Sequence, residues 1–254
     1  MPDITPVLAG NWKMHKAPAE TASFFLDFAA RSPAAANRKV WFFPPSISIT
    51  AALAATTDRP DLVIGIQNIH WEPRGAFTGE ISAPMAAAAG ARLALIGHSE
   101  RRHVFGETNQ EVGRKVRAAL DAGLHAVACI GETLDQRNAG QLEDILAAHV
   151  DAALEHVSAA EARSVTIAYE PVWAIGTGVN ATPEDAAAAH AWVRACVARK
   201  LGDTAAASMP ILYGGSVKPD NAAELLAAGD VNGVLVGGAS LEADTFARIV
   251  AAAG

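Results

Sequence analysis

Eight short apolar segments, each followed by a longer stretch of helix-forming residues, constrain the fold of this chain more than any other feature. The segments are rich in β-branched residues and end in glycine, proline or polar residues, which is typical of parallel strands buried on both faces. They are residues 7–9, 40–43, 62–66, 93–96, 126–130, 165–169, 211–213 and 234–236. No linker or change of composition interrupts the alternation, so the chain is predicted to form an α/β fold, a single-domain (β/α)₈ barrel over residues 1–254.

The stretches between the strands contain residues that predict where helices begin and end. Residues 182–185, Thr-Pro-Glu-Asp, combine an N-cap, a proline at the first helical position and acidic residues in the first turn. Residues 218–220 are predicted to open another helix, and Gly123 and Gly229 to end helices. A doubly wound open sheet is the alternative architecture, but no G-x-G-x-x-G motif follows the first strand.

Composition limits the classes of partner. The 254 residues are 51% hydrophobic, which is ample for a large core, and their net charge of −7 argues against binding to nucleic acid. Two cysteines, no secretory signal and no apolar run near the roughly 20 residues of a membrane span predict a cytoplasmic protein without membrane contact.

Glu170 lies where the sixth strand is predicted to end, immediately before a short apolar segment. The proline that follows fixes its own φ and directs the chain out of the sheet. A carboxylate beneath an apolar flap is suited to proton abstraction in a site that excludes water. A surface glutamate before an ordinary loop is the alternative. The predicted flap consists of Pro171, Val172, Trp173, Ala174, Ile175, Gly176, Thr177 and Gly178.

Polar residues also follow the first and fourth strands, at the barrel end where active sites are built. Alternation along an extended segment would point Asn11 and Lys13 the same way, and a lysine inside a barrel mouth requires an anionic ligand. His98 is predicted to lie at a helix N-terminus, which disfavours imidazolium. The alternatives are a surface Lys13 and a structural His98. Residues 100–102, Glu-Arg-Arg, indicate a structural ion-pair cluster.

Paired glycines end the last two strands, at residues 214–215 and 237–238. Glycine lets backbone N–H groups approach an anion closely, and the loops after strands seven and eight are where barrels place a phosphate site. The two pairs together therefore predict phosphate binding.

With these segments in place, the chain resembles the triosephosphate isomerase family. The matching motifs span nearly the whole chain in the family's order; they are residues 10–14, 75–80, 97–102, 129–132, 169–178, 213–217 and 237–240. Members of this family are themselves standard examples of pKa tuning and of lid closure in catalysis.

The resemblance implies a reaction and a role for each site residue. Glu170 would move a proton between adjacent carbons of dihydroxyacetone phosphate to give D-glyceraldehyde 3-phosphate, a step of glycolysis and gluconeogenesis. His98 would polarise the carbonyl, and Lys13 with Asn11 would stabilise the enediolate. The phosphate-binding N–H groups would be those of Gly176, Ser216, Gly237 and Gly238. No metal or organic cofactor is expected.

The resemblance also implies a homodimer. The loop of residues 67–83 would dock beside the partner's site, with Thr78 at its tip near Asn11, Lys13 and Glu100 of the partner subunit. A folded-back surface loop is the alternative. Two other functions stay open: an isomerase of the same mechanism acting on a longer sugar phosphate such as a tetrulose phosphate, and a non-catalytic phosphate-binding or surface-adhesion protein on the same scaffold.

Overall fold

The computed structural model describes residues 4–174 and 181–254, and their strands close into one parallel barrel. Each strand pairs with its neighbour in sequence, and β1 pairs with β8 to complete the ring. This confirms the predicted barrel and excludes the open sheet. The strands are β1 (Val7–Asn11), β2 (Lys39–Phe43), β3 (Leu62–Ile66), β4 (Leu93–Ile96), β5 (His125–Ile130), β6 (Val165–Tyr169), β7 (Ile211–Tyr213) and β8 (Gly233–Val236).

Helices surround the barrel and connect successive strands. They are α1 (Pro18–Arg31), α2 (Ile49–Ala55), α3 (Ala83–Ala88), α4 (Ser99–His103), α5 (Asn109–Asp121), α6 (Leu134–Asn138), α7 (Leu142–Ala153), α8 (Pro183–Leu201), α9 (Asp203–Ser208), α10 (Ala222–Ala227) and α11 (Ala243–Ala251). Within residues 4–174 and 181–254, no helix is long and apolar enough to cross a membrane.

Two of the predicted helix boundaries are wrong. Residues 219–221 form a turn, and α10 begins only at Ala222, because the Asn221 side chain accepts the Lys218 N–H at 2.7 Å and holds the turn. Gly229 does not end α10 in a left-handed conformation; Asp230 takes the positive φ, 60°. The capped start of α8 at Thr182 and the positive φ of Gly123, 74°, agree with prediction.

The barrel interior is filled by alternate residues of the strands. Buried apolar side chains include Trp41 and Phe43 from β2, Leu93 and Leu95 from β4, and Val127 from β5. Since the intervening strand residues pack outward against the helices, each strand is buried on both faces. The barrel is thus a solid core whose carboxyl end is a rigid platform.

An aromatic cluster fixes the end of β1 against the outer helices. Trp12 is fully buried, and its ring centroid lies 4.7 Å from that of Phe24 and 5.8 Å from that of Phe42. Its indole N–H donates to the carbonyl of Ser240 at 3.1 Å. The loop after β8 is therefore tied to the end of β1, which brings two of the predicted site segments together.

Candidate active site

A cavity of about 290 Å³ opens at the carboxyl ends of the strands. It is lined by residues that follow strands β1, β4, β6, β7 and β8, as expected for the active end of a barrel. Among them are Asn11, Lys13, His98, Glu170, Gly214, Ser216, Gly237 and Gly238. These residues come from five segments that lie far apart in the sequence, and the closure of the barrel brings the segments together.

Glu170 follows β6 directly and is only 2% exposed. One carboxylate oxygen, Oε1, lies 2.9 Å from Nε2 of His98. The other, Oε2, accepts the backbone N–H of Ser99 at 2.8 Å. The surface-glutamate alternative is excluded, because this carboxylate points into the cavity and is surrounded by protein.

His98 is the N-cap of α4 and is 6% exposed. Its Nδ1 accepts the N–H of Glu100 at 3.3 Å, which requires that Nδ1 carry no proton. The proton of a neutral ring is then on Nε2, where it is donated to Glu170. The helix N-terminus thus selects one tautomer and aims its N–H at the cavity.

Opposing effects act on the pKa of His98. Burial lowers it, the charge of Glu170 and its hydrogen bond raise it, Lys13 lowers it and Glu100 raises it; the resulting pKa lies above 6.5 with Glu170 in contact. The largest raising effect therefore depends on where the Glu170 carboxylate points. If that carboxylate moves away, burial and Lys13 lower the pKa of His98, as does the helix N-terminus. Only the smaller effect of Glu100 then raises it.

Lys13 reaches the same cavity as Asn11, but not by strand alternation. β1 ends at Asn11, and Lys13 has a positive φ of 51°, so the extended segment assumed from sequence is absent here. The Asn11 side chain accepts the Lys13 N–H at 3.0 Å, and Gln67 donates to the Lys13 carbonyl at 2.8 Å. These two bonds hold the left-handed turn that brings the ammonium group back over the barrel.

The ion pairs around residues 100–102 differ from the predicted cluster. Glu100 pairs with Nζ of Lys13 at 2.6 Å rather than with its neighbouring arginines. Arg101 pairs with Glu107 at 3.0 Å, and Arg102 donates to the carbonyl of Gly97 at 2.8 Å. Glu100 therefore lies beside the cavity, in contact with the ammonium group of the lysine that lines it.

Glycines at the ends of β7 and β8 keep the cavity open. A Cβ atom at Gly238 would meet nothing within 4 Å, whereas one at Gly214 would lie 2.9 Å from Cγ of Glu170. A short 3₁₀ turn, Gly238–Ser240, follows Gly237, and the Ser240 hydroxyl donates to the Gly237 carbonyl at 2.7 Å. Together with the half-buried Ser216, these loops present backbone to the cavity.

The described part of the predicted flap begins with a buried Pro171 and a 3₁₀ turn, Val172–Ala174. The Trp173 indole N–H donates to Oε1 of Glu132 at 2.8 Å, and the Val172 N–H donates to the Glu132 carbonyl at 3.1 Å. The four other predicted flap residues lie outside the described residues: Ile175, Gly176, Thr177 and Gly178.

Two residues that reasoning from the sequence assigned no role contribute to this arrangement. Glu132 is fully buried and accepts the Tyr169 hydroxyl at 3.1 Å in addition to Trp173. Ser99 contributes only its backbone N–H. The sequence signals for Glu132 were its position just after β5 and its place in the matching motif of residues 129–132; its burial fits its hydrogen bonds, since buried carboxylates are rare unless they are paired.

Thr78 is exposed, and the structure contains one chain, so its place beside a partner's site stays a prediction. Cys129 is a buried free thiol whose pKa is raised well above the ordinary value by burial and by Glu170. A thiol held protonated in this way is a packing residue, because only the thiolate is nucleophilic.

A closed parallel barrel with a buried carboxylate, an oriented imidazole and a lysine at its carboxyl end defines an enzyme of the (β/α)₈ class. A sequence model of triosephosphate isomerase matches residues 6–253. The triosephosphate isomerase of Chloroflexus aurantiacus is 49% identical over 96% of this chain and 98% of its own length. That of Symbiobacterium thermophilum is 47% identical, covering 98% of this chain and 97% of its own.

A solved structure agrees with the sequence relatives. The crystal structure of triosephosphate isomerase from Bartonella henselae superposes with a TM-score of 0.88 at 38% identity, covering 98% of this chain and 99% of that one. The chain belongs to the triosephosphate isomerase family.

Proposed function

We propose that this chain is an aldose–ketose isomerase that interconverts dihydroxyacetone phosphate and D-glyceraldehyde 3-phosphate, in glycolysis and gluconeogenesis. The observation that carries the proposal is the buried Glu170–His98 pair, 2.9 Å between Oε1 and Nε2, in a cavity shared with Lys13. The residues 1–254 act as one catalytic domain, supported by barrel strands that run from Val7 to Val236.

Glu170 is the base in this reaction. Its carboxylate takes a proton from the carbon next to the substrate carbonyl and returns it to the neighbouring carbon. The hydroxyl proton passes from the oxygen of the first carbon to that of the second, so one C–H and one O–H bond break and one of each form. Because one carboxylate oxygen contacts His98 and the other accepts the Ser99 N–H, substrate binding displaces at least one of these bonds. The displaced oxygen is then free to accept the proton.

His98, Lys13 and Asn11 stabilise the charge that develops on oxygen. A proton beside a carbonyl is a weak acid, so the carboxylate acts fast only if the enediolate is held by preorganised donors. The Nε2–H of neutral His98 is such a donor and becomes available when Glu170 turns to the substrate. The Lys13 ammonium supplies the nearby positive charge, and Asn11 holds its backbone at 3.0 Å.

The phosphate group binds to the glycine-rich loops. Backbone N–H groups of Ser216, Gly237 and Gly238 meet its oxygens, with that of Gly176 from the flap. The absence of a Cβ at Gly238, where nothing lies within 4 Å, supports this, because an anion must approach the peptide closely. The flap, residues 171–178, closes over the bound phosphate and excludes water.

The enzyme acts as a homodimer in the cytoplasm. A second cavity of about 190 Å³ lies beside Lys13, lined by Met14 and Phe105, which are 94% and 67% exposed. Apolar side chains of this size beside a site indicate a protein surface that is covered in the assembly. The loop of residues 67–83 of the partner, with Thr78 at its tip, is the segment we assign to it. The location in the cytoplasm is supported by the free thiols of Cys129 and Cys196, because thiols stay reduced in that compartment.

The test is a coupled assay with both triose phosphates and with the four-carbon ketose phosphate. We expect kcat/KM for the trioses near 10⁸ M⁻¹s⁻¹, the diffusional range for which this family is itself a known example. A preference for the tetrulose phosphate would keep the mechanism and change the substrate. Activity on neither would leave a phosphate-binding barrel and overturn the proposed function.

The residue roles are tested by Lys13→Ala, His98→Gln and Glu170→Ala. Loss of one oxyanion donor typically lowers kcat about 10²–10³-fold, and loss of the base lowers it further. The far-ultraviolet circular dichroism spectrum of each variant should match the parent. Normal turnover by the Glu170 variant would refute its assignment as the base.

A further inference from the structure

The backbone of Glu170 rests against the end of β5. The Glu170 N–H donates to the carbonyl of Ile130 at 2.7 Å. A Cβ atom on Gly131 would overlap the carbonyl oxygen of Glu170, so the two peptide chains are in direct contact there. A shift of Gly131 is therefore transmitted to the carboxylate, because nothing compressible separates them.

Two side chains behind the barrel hold this end of β5. The Gly131 N–H donates to Nδ1 of His149, on α7, at 3.3 Å. The carbonyl of Cys129 accepts Nη2–H of Arg102, next to the site on α4, at 3.1 Å. The tripeptide of residues 129–131 is thus fixed at both ends, and its middle residue is the one that binds the Glu170 N–H.

His149 keeps its acceptor over the working range of pH. The ring is partly buried, and burial with the charges of Arg102 and His103 lowers the pKa of His149 to about 3. A neutral imidazole always has one unprotonated nitrogen, and the Gly131 N–H occupies it. The bond is therefore present wherever Glu170 is able to act as a base.

We propose that His149 is a positioning residue for the isomerisation: its Nδ1 holds Gly131, and Gly131 sets the place of the Glu170 carboxylate in the cavity. This inference rests on the proposed function, because the placement of Glu170 affects turnover only if Glu170 moves the proton. Small displacements of a catalytic group are costly, up to about 10²-fold for 1 Å.

Three variants test the proposal. His149→Leu removes the acceptor at similar volume, and His149→Gln restores an acceptor of similar reach. The matched control is His125→Leu at the opposite end of β5, where His125 bonds the Thr166 hydroxyl at 2.8 Å and burial, with Lys39, lowers its pKa to about 4.

For His149→Leu we expect kcat to fall about tenfold or more, with KM changed less than about twofold. His149→Gln should recover most of the lost kcat, and His125→Leu should lower the melting temperature while kcat stays near that of the parent. The Gly131 amide, followed by ¹⁵N NMR, should lose protection from solvent exchange in His149→Leu and regain it in His149→Gln.

Unchanged kcat in His149→Leu, or an equal loss of kcat in the leucine and glutamine variants, would overturn the positioning role. A kcat loss in His125→Leu as large as that in His149→Leu would also overturn it. The loss would then follow from replacing any histidine that packs against β5, and not from the bond to Gly131. Failure of the proposed function is separate, because the unmodified chain would then show no turnover of triose phosphates.

Discussion

The Glu170 carboxylate and the His98 imidazole are each other's nearest titratable partners in the site. Their 2.9 Å contact means that the charge of one residue depends on the position of the other. His98 can donate its Nε2–H to a substrate oxygen only after the carboxylate has turned away. A movement of the Glu170 carboxylate, the proposed base, would therefore also free the Nε2–H of His98, the proposed electrophile, and remove the largest influence that raises the pKa of His98.

We expect the pKa of His98 to fall below 6.5 in Glu170→Gln. Burial lowers this pKa and the Glu170 carboxylate raises it, so neutralising position 170 removes the largest raising effect and leaves only the smaller one of Glu100. The titration is followed by the ¹⁵N shifts of the His98 ring. An unchanged or higher pKa in Glu170→Gln would show that the carboxylate does not control the imidazole.

The same pair should make stability depend on pH. A histidine whose folded pKa is raised above its unfolded value near 6.5 stabilises the fold below that pH, and this contribution is lost as pH rises through the folded pKa. The free energy of unfolding of the parent, measured with urea, should therefore exceed that of Glu170→Gln by more at pH 6 than at pH 9. Equal differences at both pH values would contradict the coupling.

Gly214→Ala should lower kcat about 10²-fold while the protein stays folded. The new Cβ would lie 2.9 Å from Cγ of Glu170 and 3.1 Å from the carbonyl oxygen of Tyr169, so the base must shift. The matched control is Gly229→Ala, where the Cβ would meet only Ala187 at 3.8 Å. Steady-state kinetics of both variants, with melting temperatures, separate a displaced base from general destabilisation.

At the scale of elements, the strands could be predicted closely because parallel barrel strands are apolar on both faces. The observed β3, β4, β6 and β7 have the predicted bounds, and β5 begins one residue earlier, at His125. That first residue was missed because it is polar, although its ring faces Trp41 inside the barrel at a centroid distance of 5.2 Å. Helix ends that depend on side-chain hydrogen bonds, such as the start of α10 after Asn221, were harder to predict from the sequence.

Residues of the candidate site could be predicted only where a polar or charged side chain lies at the end of a predicted strand. Asn11 ends β1, whereas Lys13, His98 and Glu170 come shortly after strand ends, and the structure brings all four to one cavity. The turn of Lys13 and the burial of Glu132 could not be predicted, because each depends on contacts from distant parts of the chain. Such contacts leave no local pattern in the sequence.

Glu107 connects α4 to α5 behind the site, and its replacement should destabilise both. Its Oε2 lies 3.0 Å from Nε of Arg101 and 3.2 Å from Nζ of Lys115, and the lysine side chain is 5% exposed. Glu107→Gln would leave the two cations without their anionic partner, with Asn68 still accepting from Nζ of Lys115 at 2.9 Å, at a cost of about 3–5 kcal/mol in unfolding free energy. Urea unfolding measures this cost.

The control for Glu107 is Asp27→Asn in the exposed pair with Arg31, where the side chains are 51% and 45% exposed. Solvent screens that pair, so we expect a change within about 0.5 kcal/mol. If the Glu107 and Asp27 variants lost the same small amount of unfolding free energy, the buried ion pairs of Glu107 would stabilise the fold no more than a surface pair does.

At the scale of the whole molecule, the surface beside Lys13 is unusually apolar for a site that binds an anion. Val104 and Phe105 at the end of α4 are 71% and 67% exposed, and Met14 is 94% exposed. Cover from a second subunit would remove this surface from water and restrict the Lys13 side chain. The lysine would then lose fewer degrees of freedom on binding substrate, so dimerisation and turnover should be coupled.

Phe105→Glu should therefore dissociate the proposed dimer and lower kcat in the same step. Sedimentation velocity at micromolar concentration measures the mass, and the triose phosphate assay on the same samples measures turnover. The matched control is Leu26→Glu on α1, a residue 73% exposed outside this surface, which should leave both mass and kcat unchanged. An unmodified chain that sediments as a fully active monomer would exclude the dimer. A monomeric Phe105→Glu with normal kcat would keep the dimer but show that the Lys13 side chain needs no support from a partner.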